Sequence, residues 1–165
     1  MFKLLSLLVV GFLFIGCGDN PKSHHKMFQS VSKEDAVLLQ TSKDKKHCIR
    51  CGMNLVKFYK TSHSATDGSN VYQYCSIHCL EEHLGEGITL KNPKVVDIAS
   101  LKFISVKDAY YVVGSKKRGT MSRVSKYAFS KLEDAKKFQA MNGGDIMNFD
   151  EALKKAKEDF KFQMR

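Results

Sequence analysis

Four cysteines of this chain fall into two close pairs, Cys48-x2-Cys51 and Cys75-x3-Cys79. The first pair sits in Cys48-Ile49-Arg50-Cys51-Gly52-Met53, where Gly52 can turn a tight knuckle and Met53 adds a thioether. Thiolates and thioethers are soft ligands that select Cu(I), and thiolates also hold zinc. Two knuckles separated by a hairpin could converge four thiolates on one ion, in a treble-clef-like zinc site whose closure supplies folding energy directly. Met53 is a neutral soft donor that zinc does not need. It suits Cu(I) in a low-coordinate Cys/Met site that gives up its ion by ligand exchange. The plainer role for Met53 is a core residue entering a strand. His47 and His78 flank the thiols and are further candidates to complete the site, while the plainer role for His78, as for His83, is on the surface of a helix.

Other thiol chemistry fits less well. Four cysteines in an exported chain normally mean a disulfide framework, but two close pairs make a metal-knuckle pattern, and the spacing is preferred. A thiol–disulfide oxidoreductase would place its first cysteine at a helix N-terminus. Here the residues after Cys51 read as a strand, and Gly52 interrupts any helix start. No Ser/His/Asp order, Gly-rich phosphate loop or carboxylate pair stands out, so a protein without catalytic turnover is expected.

Export is read from the N-terminus. Lys3 precedes an apolar run from Leu4 to Ile15, too short for a comfortable membrane span, and Gly16-Cys17 closes it like a lipobox. Residues 1–16 are expected to be a signal peptide and Cys17 the lipidated residue; an uncleaved anchor is the alternative. Gly18 after Cys17 favours the outer membrane, with the inner membrane as second choice. Residues 17–31, polar and carrying His24-His25, read as a linker. The net charge of +10 suits anionic headgroups or an acidic partner. No basic motif interleaved with aromatics is present, and nucleic acid is not expected as a partner.

The elements that must hold the cysteines form two units in an α+β fold, 32–100 and 101–165. In the first, Ser32 to Asp35 opens a short helical pattern through Leu39. Leu55–Tyr59 reads as a strand, Ser62–Asn70 as a turn or loop around Asp67-Gly68, and Val71–Tyr74 as the return strand. Ser76 would cap a helix over Ile77–Leu84, and Lys94–Ile98 follows as a strand. In the second, Phe103–Val106 and Tyr110–Val113 read as extended segments around a Lys107-Asp108 turn, and Tyr127–Phe129 as another strand. Ser130 and Glu133 form a capping box for a helix through Met141, stopped by Gly143-Gly144. A short strand over Ile146–Phe149 and a last helix to about Phe162, lined by Ala152, Leu153, Ala156 and Phe160, complete the unit. This half has no cysteine, so a shared metal site would borrow Met or His from it; Met121 in a loop is the candidate.

These residues carry a resemblance. Cys17 in its lipobox, Cys48 to Met53, and Tyr74-Cys75-Ser76 are similar to the NosL family, lipoproteins that accompany nitrous oxide reductase. Tyr110 to Ser115, Met121, Ala128-Phe129, Asp134-Ala135, Phe138 and Gly143-Gly144 resemble its second half, over about residues 40–155 in all. The resemblance implies paired strand–strand–helix–strand (ββαβ) units related to the treble clef and also seen in organomercurial lyase. It implies a periplasmic, membrane-anchored Cu(I) metallochaperone serving nitrous oxide reductase or a related cuproenzyme. By position, Cys48, Cys51, Met53 and Met121 would hold the copper. The competing expectations are a structural zinc-bound interaction lipoprotein that uses all four cysteines and, third, an oxidoreductase. A homodimer sharing one copper is compatible with the sequence.

Overall fold

The computed structural model describes residues 27–41 and 43–163. The expected signal peptide, the lipidated Cys17 and His24-His25 lie outside the described residues. Two antiparallel sheets repeat one plan. In the first, β1 (His63–Thr66), β2 (Val71–Tyr74), α1 (Ile77–Gly85) and β3 (Lys91–Val96) follow in order, and β4 (Phe103–Ser105) is added at the edge, giving the order β2-β1-β3-β4. The second contains β5 (Tyr110–Val113), β6 (Lys126–Phe129), α2 (Leu132–Asn142) and β7 (Asp145–Met147), in the order β6-β5-β7. In each, the first strand lies between the second and third. The terminal helix α3 (Phe149–Gln163) packs against α1 and β5.

One apolar core joins the two halves. Ile77 of α1 and Val95 of β3 pack with Tyr111, Val113, Ala128, Ala152 and Ala156 from the second half. The inner face of α3 is fully buried at Ala152 and Ala156, as its pattern implied; Phe160 lies beyond the described side chains. Asp97 fastens the sheets at their rim. It forms a parallel bridge to Ala128, and its carboxylate accepts from Ser100 Oγ (2.6 Å) and Ser130 Oγ (3.0 Å).

Several elements differ from the sequence reading. Residues 55–58 form turns that run into a 3-10 turn at Tyr59–Thr61, with no strand there. The side-chain oxygen of Asn54 accepts from the amides of Val56 and Lys57, both at 3.0 Å, and bends the chain. Leu55 and Tyr59, one helical turn apart, are thereby both fully buried. The strand lies instead at His63–Thr66, inside the expected loop. Its polar sequence hid it, yet His63, Ser64 and Ala65 are all buried.

Residues 32–39 form a turn and an extended segment in place of the helix, because the Gln73 side chain bonds Leu39 N–H (2.8 Å) and Val37 C=O (3.3 Å). β4 pairs with β3, not with β5. Ser130 is committed to Asp97, so α2 starts without a side-chain cap. The expected linker ends in packed structure: Phe28 meets Tyr127 edge-on, Gln29 is buried, and Val31 joins a small core with Tyr59 and Val96. Gly144 is required by space as well as by its φ of +94°. A Cβ there would lie 2.6 Å from the Val113 carbonyl oxygen.

Candidate metal centre

The first knuckle is a closed loop. An isolated bridge pairs His47 with Asn54, Cys48 N–H donates to Met53 C=O (2.9 Å), and Gly52 N–H donates to Cys48 C=O (3.0 Å). Gly52 takes φ +72°, which a side chain would strain. The loop is fixed to β2 by Ile49 N–H on Gln73 C=O (3.2 Å). Gln40, itself buried, donates from its side chain to His47 C=O (2.7 Å) and Asp44 C=O (3.2 Å), holding the approach to the knuckle. On the other side the Arg50 guanidinium forks onto the Glu86 carboxylate, with Glu82 at 3.7 Å, tying the knuckle to the end of α1.

Cys75 follows β2 directly, and Cys79 lies in the first turn of α1. The four Sγ atoms lie within 4.8 Å of one another. Cys75 Sγ is 3.4 Å from Cys51 Sγ, 3.8 Å from Cys79 Sγ and 3.9 Å from Met53 Sδ. An ion held by four thiolates at about 2.3 Å has sulfur–sulfur edges of about 3.8 Å, so these distances are already those of a metal-binding set. All four thiols are free. Cys48, Cys75 and Cys79 are buried, and Cys51 alone is exposed.

Packing thiols this closely sorts their protons. Hydrogen bonds from Cys75 and Cys79 hold Cys48 far below the usual thiol range. A bond from Cys75 brings Cys51 down to about 7. Cys75 and Cys79, the donors to Cys48, are pushed up. Cys48 and Cys51 therefore ionise more readily than Cys75 and Cys79, and an incoming cation would displace the protons that remain.

Met53 and Met121, both half-buried, pack against the apolar core that contains Cys48, Cys75 and Cys79, and of the two Met53 has its sulfur beside Cys75. Met121 is carried there by the second half of the chain at φ +65°, an unusual conformation for a side chain of this length. Its loop is anchored by a 2.8 Å hydrogen bond between the hydroxyls of Thr120 and Thr61, and Thr61 also bonds the Cys75 carbonyl (2.8 Å).

Among the described residues, no histidine joins the set. His47 pairs through Nδ1 with the Asp44 carboxylate at 2.8 Å. His78 is buried with Thr61, Ser76, Thr120 and Lys126 around a small cavity, and burial and the nearby Lys126 lower its pKa to about 4. His83 is also buried, with Nδ1 2.7 Å from the Tyr74 hydroxyl. The expected surface positions of His78 and His83 are thus corrected: α1 is covered on one side by α3 and on another by the Tyr72 and Tyr74 rings. Sequence reasoning missed Gln40, Thr61 and Gln73 as positioning residues. Buried polar side chains that serve distant backbone leave no local spacing signal. Cys48-x2-Cys51 lies on turns, not at a helix start, so it lacks the geometry of a thioredoxin-type site.

Comparison with known proteins agrees with this layout. The profile of the NosL family matches residues 39–156. A crystal structure of the copper chaperone NosL from Shewanella denitrificans has a similar fold, with a TM-score of 0.54 and 26% sequence identity over 74% of this chain and 95% of that one. No curated protein sequence matches the chain. With a family profile covering most of its described length, the chain belongs to the NosL family.

Proposed function

We propose that this protein is a Cu(I) metallochaperone, anchored through Cys17 to the periplasmic face of the outer membrane, which delivers copper to nitrous oxide reductase or a related cuproenzyme. The observation that carries the reading is the sulfur cluster with one exposed member, Cys51. Membership in the NosL family and the similarity to a copper chaperone support it. Incoming Cu(I) meets Cys51 first, and the buried thiols behind it, with Met53 and Met121, complete its surroundings and keep water out. Copper stays Cu(I) throughout, and each thiol that binds releases its proton to solvent. Delivery is ligand exchange: a donor from the client bonds the ion before Cys51 lets go. No bond of a substrate is made or broken, so the protein acts without catalytic turnover.

One observation favours a second reading. Four Sγ atoms within 4.8 Å of one another also suit a closed zinc site, which would make the protein a structural interaction lipoprotein. The cellular test separates the two. Deleting the gene is expected to leave nitrous oxide reductase synthesised but copper-poor and inactive, with restoration by the wild-type gene and not by Cys51→Ser. Unchanged copper content in the reductase of the deletion strain, with other cuproenzymes also fully loaded, would overturn the delivery role.

A further inference from the structure

The sulfur donors outnumber the needs of one ion. Cys75 Sγ is in contact with Cys51 Sγ (3.4 Å), Cys79 Sγ (3.8 Å) and Met53 Sδ (3.9 Å), and Cys48 Sγ lies within 4.8 Å of the other three thiol sulfurs. One tetrahedral ion would take the four thiolates and leave the Met53 thioether without a role. One three-coordinate Cu(I) would leave two sulfurs over. Two three-coordinate Cu(I) ions that share Cys75 use all five. A thiolate can bridge two soft cations, whereas a neutral thioether binds one terminally, and the central position is held by a thiol with Met53 at the periphery.

We infer that this chain carries two Cu(I) ions bridged by Cys75, an outer one on Cys51, Met53 and Cys75 and an inner one on Cys48, Cys79 and Cys75. The inference rests on the copper reading above and deepens it. Exposure divides the two ions: Cys51 is open to solvent, whereas Cys48 and Cys79 are 3% and 2% exposed. The outer ion is the exchangeable cargo, and the inner one is retained and fixes the shape of the outer site. Each thiol that binds copper releases its proton to solvent, and no oxidation state changes.

The test is anaerobic Cu(I) titration of the detergent-solubilised full chain, with Cu(I) supplied as a complex with a chromophoric chelator. Saturation is expected at two Cu(I) per chain. The outer ion should return to the chelator at least tenfold faster than the inner. Cys79→Ser should hold one, and Met53→Leu should hold two with the outer ion lost more readily. X-ray absorption of the wild-type protein guards against a misfolded variant: a copper–copper scattering shell should appear at two equivalents and be absent at one. Saturation at one Cu(I) per chain or less, or no copper–copper shell at full loading, overturns the two-ion arrangement and leaves the chaperone reading standing. No copper retained, with zinc held in its place, overturns the chaperone reading itself.

Discussion

Thr61 and Thr120 share a buried 2.8 Å hydrogen bond between their hydroxyls, although one precedes the first sheet and the other belongs to the second half of the chain. Thr61 is also bonded to the Cys75 carbonyl, so this contact ties the Met121 loop to the backbone at Cys75, beside the core that contains the cysteines. Thr61→Val keeps the shape and removes the hydroxyl, leaving two buried polar groups without a partner. The expected loss is about 1–3 kcal/mol of stability, read from urea unfolding, together with weaker Cu(I) retention in chelator competition. Met121→Leu should weaken retention without the stability loss.

The cysteines should not be equivalent. Cys75 touches three other sulfurs, whereas Cys51 lies at the exposed edge. Cys75→Ser is expected to reduce Cu(I) affinity by more than Cys51→Ser, on the order of a hundredfold or more. Cys51→Ser should act mainly on the rate at which copper enters and leaves. Stopped-flow transfer to a Cu(I) chelator distinguishes the two effects.

Acid should loosen the fold through His63. This ring is fully enclosed, with Nδ1 on Thr61 C=O (3.0 Å) and Nε2 on the Tyr111 hydroxyl (3.1 Å). Burial lowers its pKa from 6.5 to about 3, and the other titratable side chains facing it are His78 and Tyr111. The unfolded chain therefore binds a proton below pH 6.5 that the folded chain refuses. The stability that depends on the neutral ring is complete above pH 6.5 and falls as pH drops toward about 3, by about 1.4 kcal/mol per pH unit. Urea midpoints at pH 7 and pH 5 check this, and His63→Gln should flatten the slope by one proton.

Much of this architecture was legible in the sequence. The spacing of the cysteines, the glycines after α2 and the apolar stripe of α3 each carry a local physical signature, and all three lie where that signature put them. The pairing of β4 with β3, the strand at His63–Thr66 and the burial of His78 and His83 were not legible. Those depend on partners distant in sequence: the Tyr111 hydroxyl for His63, the Tyr74 hydroxyl for His83, and the α3 helix over His78. Leu55 to Tyr59 looked like a strand because its residues are apolar, while the deciding residue was Asn54, just outside the run. Met121 reads as a loop methionine, but the placement of its loop rests on the Thr61–Thr120 contact, which no spacing encodes.

Gln73 tests how the knuckle is held. Its side chain is fully buried and supplies hydrogen bonds to Val37 and Leu39, while its carbonyl receives Ile49. Gln73→Leu is expected to cost about 1–3 kcal/mol and to raise amide hydrogen exchange at residues 37–49 while leaving α2 and α3 protected.

The central claim is that the cluster of Cys48, Cys51, Cys75 and Cys79 carries copper. Its most direct test is the metal content of the full chain purified without oxygen from cells given equal copper and zinc. Copper on the protein, resistant to zinc exchange and lost on Cys51→Ser with Cys75→Ser, is the predicted result. One zinc per chain that survives a Cu(I) chelator and disappears with Cys79→Ser would contradict it.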